Sequence, residues 1–317
     1  MRTWCREVLL RLLADADVLV HNFRPGVAER LGIGYEQLRS RNERLIYCAV
    51  SGYGESGPLS KKAGYDQVLQ TMTGICTLQG TAEDPQIVYG SVVDYYAAAL
   101  LASGVSSALY QRERTGQGQR VGISLLRSAL AMQSARFVWA EGEPRDVFRD
   151  MRSGGITGLY KTAKGSLYIS ANTAHFWAAL CELIGLSELA SDARYASVRL
   201  RAEHAAELVP QVTRALQAHS AVQWEAIFGE RVPCAVAHPI EDMFDHPQVQ
   251  AEQMVATYTH PKVGSYRGLA RPIQFGQGDQ VPVRAAPSFG EYTQRVLQSL
   301  GYSEADIEAL RSAGAAR

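Results

Sequence analysis

The chain has 317 residues, of which 46% are hydrophobic and 20% are charged, a composition typical of a globular protein of about two domains. The chain has 32 lysine and arginine residues and 32 aspartate and glutamate residues, so no excess of charge indicates a nucleic acid or an acidic membrane as a partner. The longest apolar runs, such as Ala97–Ala102, are too short to span a bilayer. The five cysteines are scattered and form no Cys-x-x-Cys pair, and the seven histidines show no metal-ligand spacing. This pattern argues against a disulfide framework or a metal site and favours a cytoplasmic location.

The first third of the chain alternates helices and strands. Its patterns predict a helix near 5–14, a strand at 17–21, short helices near 27–39 and a strand at 45–50. Both strands are continuous apolar runs rather than alternating ones, which indicates a parallel sheet covered on both faces. The chain opens in a helix and passes straight into a buried strand, as if the domain lacked its beginning.

The same alternation continues beyond the second strand. The patterns predict a helix over Asp66–Thr73, a long helix from Asp94 to about Arg112, a strand from Arg120 to Ser124 and a helix from Leu126 to about Trp139. Asp66 is expected to be the N-cap of its own helix, because aspartate is favoured there.

A change of composition at 141–155, where charged residues, proline and glycine dominate, predicts a linker. Beyond it we expect a hairpin around Ala163-Lys164-Gly165, helices near 174–185, 200–218 and 221–229, and two helices between 289 and 313. The predicted domains are therefore a large domain at 1–140, a linker with a small α+β domain at 141–258, and a linker with a C-terminal segment that returns to the large domain at 259–317.

Asp94 is the residue that points most directly to chemistry. It follows the glycine-bearing segment Ile87–Val93 and precedes a run of small and apolar residues, which places a carboxylate at the start of a helix. The helix dipole favours the ionised carboxylate, although burial would oppose it. An ionised carboxylate held on a rigid turn is a usable nucleophile, whereas the alternative role for Asp94 is a simple helix N-cap.

Several segments, in this order and spacing, resemble the class III CoA-transferases, also called the CaiB/BaiF or formyl-CoA transferase family. These segments are Ala16–Gly26, Ser51–Pro58, Gly64-Tyr65-Asp66, Asp94, Arg114–Gln119 and Ala286–Tyr292. The resemblance implies an α/β chain with a Rossmann-like large domain, a parallel sheet and a smaller α+β domain, interlocked with a second copy in a homodimer. It also implies that the family's opening strand and a CoA-contacting loop are absent here.

The resemblance gives Asp94 a covalent role. It implies that CoA moves from an acyl-CoA donor to a carboxylic acid acceptor, through a mixed anhydride and then an aspartyl-CoA thioester on Asp94. Coenzyme A would enter as the acyl-CoA substrate, and no metal is implied.

Further positions match residues that the family uses around CoA. Asn22, Phe23 and Arg30 match CoA-contacting positions, and Tyr65 is expected beside them, so these four form the predicted CoA-binding set. Gly154 and Gly155 match a glycine-rich loop that closes over the active site, which would keep water from a hydrolysable anhydride. Without the family context, Arg30 is a surface charge, Tyr65 a packing residue and the glycines a linker.

Two other functions remain open at this point. Related α-methylacyl-CoA racemases carry histidine where Tyr65 stands, and a phenol is a poor base at neutral pH, so Tyr65 favours transfer over racemisation or epimerisation. The missing opening also allows a truncated, non-catalytic CoA-binding remnant, in which an exposed sheet edge would invite pairing with a partner.

Overall fold

A parallel sheet forms the centre of the first of two compact units, as the continuous apolar strands predict. The computed structural model describes residues 3–143, 156–276 and 284–316. The first unit comprises Met1–Glu143 with Pro287–Arg317, and the second comprises Pro144–Ala286. The second unit therefore runs further along the chain than the small domain expected at 141–258.

The first unit opens with alternating helices and strands. Its elements up to residue 143 are α1 Thr3–Ala14, β1 Val18–His21, α2 Val27–Arg30, α3 Tyr35–Arg39, β2 Ile46–Ser51, α4 Asp66–Met72, α5 Ile75–Gln79, α6 Val92–Thr115, β3 Arg120–Ser124 and α7 Leu125–Ala131. The sheet order is β1-β2-β3 and both pairings are parallel, with Val20 beside Cys48 and Cys48 beside Val121. Ile46 and Cys48 are fully buried, because helices cover both faces of β2.

Helix α7 is shorter than predicted, since it ends at Ala131 rather than near Trp139. Here the backbone N–H of Gln133 donates to Leu130 O, and Arg136 and Phe137 N–H both donate to Gln133 O. These three-residue and four-residue turns replace the regular ladder because the Gln133 amide side chain takes the Ala129 carbonyl instead.

The second unit is built around an antiparallel sheet. Its elements are β4 Gly158–Lys161, β5 Ser166–Ile169, α8 Ala174–Leu183, α9 Glu188–Ser191, α10 Val198–Glu203, α11 Ala205–Ala215, α12 Ala221–Phe228, β6 Cys234–Val236, α13 Pro247–Ala251, β7 Val255–His260 and β8 Gly264–Leu269, with 3-10 turns at Ala193–Tyr195, Leu216–Ala218 and Ile240–Phe244. The predicted hairpin is β4–β5, β6 extends it, and β7 pairs with β8 in a separate antiparallel ribbon. The core joins Trp177, Trp224 and Phe228 to the inner face of β5.

The C-terminal segment carries the two predicted helices, α14 Thr293–Ser299 and α15 Glu304–Ser312. They belong to the first unit and pack together through Leu297, Ile307 and Leu310. The fold is thus a mixed α/β fold with a parallel sheet; the Rossmann-like layout and the interlocked dimer stay predictions.

The direction of α6 decides where Asp94 lies. Near the end of this helix, Arg112 Nη1 donates to the Arg44 carbonyl (3.1 Å) and the Asp17 carbonyl (3.4 Å), and its Nη2 bonds Asp17 Oδ1 at 2.8 Å. Asp17 and Arg44 lie just before β1 and β2, so the end of α6 is fixed at the amino edge of the sheet. From Arg112 back to Asp94 the helix rises about 27 Å, whereas strands of 4 and 6 residues span only about 13 to 20 Å. Asp94 therefore lies beyond the carboxyl edge.

Helix α6 is the one helix in the described part of the chain that is long and apolar enough to cross a bilayer, by length and composition alone. It reaches 24 residues, well beyond the short apolar runs on which the sequence analysis relied. Helices that pack on a sheet satisfy the same test, and α6 contacts β2, β3, α4 and α7. The absence of a membrane partner stays a prediction.

Candidate active site

A cavity lies beside the carboxyl ends of β1 and β2, at the edge where open α/β sheets bind ligands. Its volume is about 210 Å³. His21 and Ser51, the last residues of the two strands, line it together with Phe23 and Tyr47. Charged residues of both signs complete the wall, and they are Arg24, Glu29, Glu55 and Arg120. Arg120 pairs with Glu55, so the wall combines balanced charge with two aromatic rings, Phe23 and Tyr47.

The predicted CoA-binding residues that follow β1 differ in whether they line this cavity. Phe23 lines the cavity and is 41% exposed, whereas Asn22 and Arg30 are exposed outside its wall. Gly26 turns the chain into α2 with φ +81°, a conformation that side-chain-bearing residues rarely adopt. The Arg30 guanidinium folds back over this glycine, where an added Cβ would lie 3.3 Å from Nη1.

His21 and Tyr47 line the cavity as well, although neither was predicted from the sequence to be a site residue. His21 Nε2 lies 2.7 Å from Tyr47 Oη, and the Phe23 backbone N–H donates to His21 Nδ1 at 3.2 Å. The His21 and Phe23 rings stack with centroids 5.3 Å apart. The only signal in the sequence is a histidine directly before Asn22-Phe23, which is too weak to assign a role.

Burial governs the titration of this pair. It lowers the pKa of His21, an effect that nearby Arg120 reinforces and Glu29 and Glu55 oppose. Burial also raises the pKa of Tyr47 to about 12. The imidazole is therefore neutral, and the phenol protonated, at physiological pH.

Asp94 stands in the first turn of α6, not at its cap. The helix begins at Val92, its N-cap residue is Ser91, and no side chain of that residue caps it. The carboxylate that serves the helix start comes from Asp66, whose Oδ2 accepts the backbone N–H of Val93 (2.7 Å) and of Asp94 (3.0 Å). Asp94 is thereby relieved of a capping role; the residue as a whole is exposed to solvent, although neighbouring atoms partly desolvate its carboxyl group.

Asp66 differs from its expected role as the cap of its own helix. It is the first residue of α4, and Tyr65 occupies the N-cap position. The two oxygens of Asp66 serve different helices, because Oδ1 accepts from the Gln70 side chain of α4 while Oδ2 accepts the Val93 and Asp94 N–H groups of α6. The residue is only 3% exposed, so this carboxylate joins α4 to α6 inside the protein.

Two causes raise the pKa of the Asp94 carboxyl. The larger is partial burial of the carboxyl, and the smaller is the negative charge of Asp66. The helix dipole acts in the opposite direction.

Tyr65 is linked to the same end of the sheet by a close backbone approach. A Cβ added to Gly52, the residue after β2, would lie 2.8 Å from Gly64 Cα, so the two glycines pack directly. Tyr65 follows Gly64 and its ring is 67% exposed. The chain of contacts from β2 through Gly52, Gly64 and Asp66 to Asp94 brings Tyr65 and Asp94 to the carboxyl edge.

The predicted site thus forms two groups at one edge of the sheet. Asn22, Phe23 and Arg30 follow β1, and Tyr65 and Asp94 lie at the starts of α4 and α6. Gly154 and Gly155 fall outside the described residues, and their loop role stays a prediction. Within the described ranges, no group of three or more His, Cys, Asp or Glu side chains could hold a metal.

A larger cavity, about 690 Å³, lies between α1 and the segment at 287–297. It is lined by part of the Pro287–Tyr292 motif, by Cys5 and by the end of α15, and it touches none of the predicted site residues. Size alone does not make it the active site, because the polar groups that could do chemistry converge at the sheet edge instead.

The structure is an α/β fold in which Asp94, an exposed residue, lies beyond the carboxyl edge of the parallel sheet, the edge beside which the smaller cavity lies. The model of CoA-transferase family III matches residues 4–293, so the chain belongs to this family, the CaiB/BaiF proteins.

Named relatives are CoA-transferases. The chain is 33% identical to an acetyl-CoA:oxalate CoA-transferase of Acetobacter aceti, over 95% of this chain and 78% of the relative. It is 28% identical to a succinyl-CoA:glutarate CoA-transferase of Mus musculus, over 97% of this chain and 72% of the relative. Among solved structures, a CaiB/BaiF family protein from Brucella suis is 28% identical, with a TM-score of 0.77 over 93% of this chain and 78% of that one.

Proposed function

We propose that this protein transfers CoA from an acyl-CoA donor to a carboxylic acid acceptor, with Asp94 as the covalent nucleophile. The proposal rests on the different roles of two neighbouring carboxylates, Asp66 and Asp94. Asp66 satisfies the N–H groups at the start of α6, so the exposed Asp94 carboxyl, whose pKa is raised, is free to react.

The location of Asp94 supports binding of a long substrate. CoA has an anionic nucleotide end and a thioester end joined by a long, thin arm. The cavity beside β1 and β2 offers Phe23 and Arg24 to the nucleotide, while Asp94 lies beyond the same sheet edge. The arm would therefore run from the cavity toward the start of α6, past Tyr65.

The reaction proceeds through two covalent states on Asp94. A carboxylate oxygen attacks the thioester carbonyl carbon, the carbon–sulfur bond breaks, and CoA leaves as the thiolate, which yields a mixed anhydride. The thiolate then attacks Cγ of Asp94, and the donor acid leaves as a carboxylate. The energy of the thioester is kept at each step, because no water enters the exchange.

The acceptor reverses this sequence. Its carboxylate attacks Cγ of the aspartyl-CoA thioester and displaces the thiolate, which then attacks the acceptor's own carbonyl carbon in the new anhydride. The product acyl-CoA departs and the Asp94 carboxylate is restored. Dicarboxylic acids are the first acceptors to test, since relatives are named for oxalate and glutarate.

Trapping tests the covalent step. The protein is incubated with succinyl-CoA, acetyl-CoA or formyl-CoA and with hydroxylamine, and peptides are analysed by mass spectrometry. We expect a hydroxamate at Asp94, none at the exposed Asp84, and loss of transfer in Asp94→Ala but not in Asp84→Ala.

Two results would reject this function. Full transfer activity in Asp94→Ala, with no modified Asp94, would remove the nucleophile. Appearance of solvent deuterium at the α-carbon of an α-methylacyl-CoA, without acyl exchange, would replace transfer by racemisation or epimerisation.

A further inference from the structure

We propose that His21 is a positioning residue for CoA, which holds the Phe23 loop in its binding shape by accepting the Phe23 backbone N–H while its other nitrogen is anchored on Tyr47. The inference rests on the proposed function, because it concerns how the same substrate is bound. It adds a residue for which the resemblance gives no role.

The hydrogen bonds fix one tautomer of His21. Nδ1 accepts from the Phe23 N–H, so it carries no proton, and a neutral imidazole must then carry its proton on Nε2. Nε2 consequently donates to Tyr47 Oη, 2.7 Å away. Tyr47 is 1% exposed and its ring also packs on Tyr35, so this end of the pair is anchored in the core.

The anchor acts on an otherwise exposed segment. Phe23 has a 41% exposed ring that stacks on His21, and Asn22 beside it is exposed. In the described structure the Phe23 N–H donates to His21 Nδ1. Loss of that acceptor would therefore free the loop without disturbing β1 or β2.

Protonation of His21 would have the same effect as loss of the acceptor. An imidazolium carries a proton on both nitrogens, so Nδ1–H would oppose the Phe23 N–H. The charged groups that face the ring are Glu29 of α2, Glu55 of the loop after β2 and Arg120 of β3. Glu55 and Arg120 pair with each other, which leaves their opposed effects on the ring largely balanced.

Two substitutions separate the roles of the two nitrogens. In His21→Asn the side-chain oxygen sits near the Nδ1 position and can accept the Phe23 N–H as an Asx turn does, but nothing reaches Tyr47. In His21→Gln the amide can reach Tyr47, but no acceptor remains for Phe23. Both variants are neutral and similarly polar, so each is the control for the other.

The test is titration calorimetry with CoA itself, followed by steady-state kinetics. We expect His21→Gln to bind CoA about fivefold to tenfold more weakly than the wild type, the effect of one lost hydrogen bond. We expect His21→Asn to bind within about twofold of the wild type. In turnover the loss should raise KM for acyl-CoA and leave kcat unchanged, because Asp94 is not affected.

The pH dependence of CoA binding provides an independent test of the role of His21. From pH 8 down to about pH 5, CoA affinity of the wild type should fall more than that of His21→Asn. Ionisation of the CoA phosphates is common to both proteins and cancels in the comparison.

The outcomes are distinguishable from failure of the proposed function. If the wild type binds no CoA, the function itself is wrong. If the wild type binds CoA and His21→Gln binds equally well, only the positioning role is overturned. Equal weakening of CoA binding in both variants would also overturn the positioning role, since it indicates a packing role for His21. Tighter CoA binding by the wild type in acid would overturn it as well, since it indicates a direct phosphate contact by the imidazolium.

Discussion

Replacement of Asp66 tests the claim that its buried carboxylate both stabilises the start of α6 and helps to raise the pKa of Asp94. Asp66 is 3% exposed and accepts two backbone N–H bonds at the start of α6, at 2.7 and 3.0 Å. Its charge also contributes to the raised pKa of Asp94. The substitutions Asp66→Asn and Asp66→Ala separate these two effects, because the amide keeps one acceptor oxygen and removes the charge, whereas alanine removes both.

The stability cost follows from the hydrogen bonds. Asp66→Ala leaves the buried Val93 N–H without an acceptor and takes away the cap of α6, which should lower the free energy of unfolding of the first unit by about 2 to 3 kcal/mol. Asp66→Asn should cost less, roughly 1 to 2 kcal/mol, because one side-chain oxygen can still accept both N–H groups of α6 while the new amide nitrogen loses the bond from Gln70. Urea denaturation followed by circular dichroism measures both values.

The effect on activity has a definite sign. A negative charge beside Asp94 opposes ionisation of the Asp94 carboxyl, so the neutral Asp66→Asn must lower the pKa of Asp94. The acid limb of the pH profile of kcat/KM, which reports the ionisation of the nucleophile in the free enzyme, should move to lower pH. A matched Asp84→Asn variant, at an exposed aspartate, should leave the limb in place. An acid limb that stays in place or moves to higher pH in Asp66→Asn would refute the reasoning.

Three further predictions concern the same unit. The raised pKa of Asp94 means that its ionised carboxylate opposes folding. Asp94→Asn should therefore unfold at a slightly higher denaturant concentration than the wild type at neutral pH, and this difference should vanish as the pH falls through the pKa of Asp94. A difference that grows in acid would contradict this. Arg112→Met should lower the free energy of unfolding by about 2 to 3 kcal/mol, since it leaves backbone carbonyls without a donor. Asp17→Asn removes only the charge of the exposed partner in the ion pair and should cost less than about 1 kcal/mol. Gly52→Ala should cost about 1 to 3 kcal/mol and raise KM for acyl-CoA, because the new Cβ would press on Gly64 Cα; normal stability in this variant would show that the two loops can separate.

Much of the first unit could be predicted because its signals are local. Continuous apolar runs predicted β1, β2 and the parallel sheet, and the small-residue run predicted α6. The ribbon β7–β8 was not predicted. Its strands are largely exposed, with threonine, tyrosine, serine and arginine in place of an apolar run, and such sequences do not differ from loops until they pair.

The role of Asp66 could not be predicted for a different reason. An aspartate at the start of a helix usually caps that helix, and the residues around Asp66 fit that interpretation. Its Oδ2 instead accepts the N–H groups of Val93 and Asp94, 27 and 28 residues further along the chain. His21 was overlooked in the same way, because its partner Tyr47 is 26 residues away.

The sequence by itself determined the class of fold, the family and the candidate nucleophile, since periodicity, turn residues and ordered motifs are all properties of neighbours along the chain. Only the tertiary structure decided which carboxylate serves the helix and which is left exposed, and which histidine tautomer faces the cavity. Those choices depend on burial and on hydrogen bonds between segments that only folding brings together, and it is these contacts that set the pKa values on which the chemistry depends.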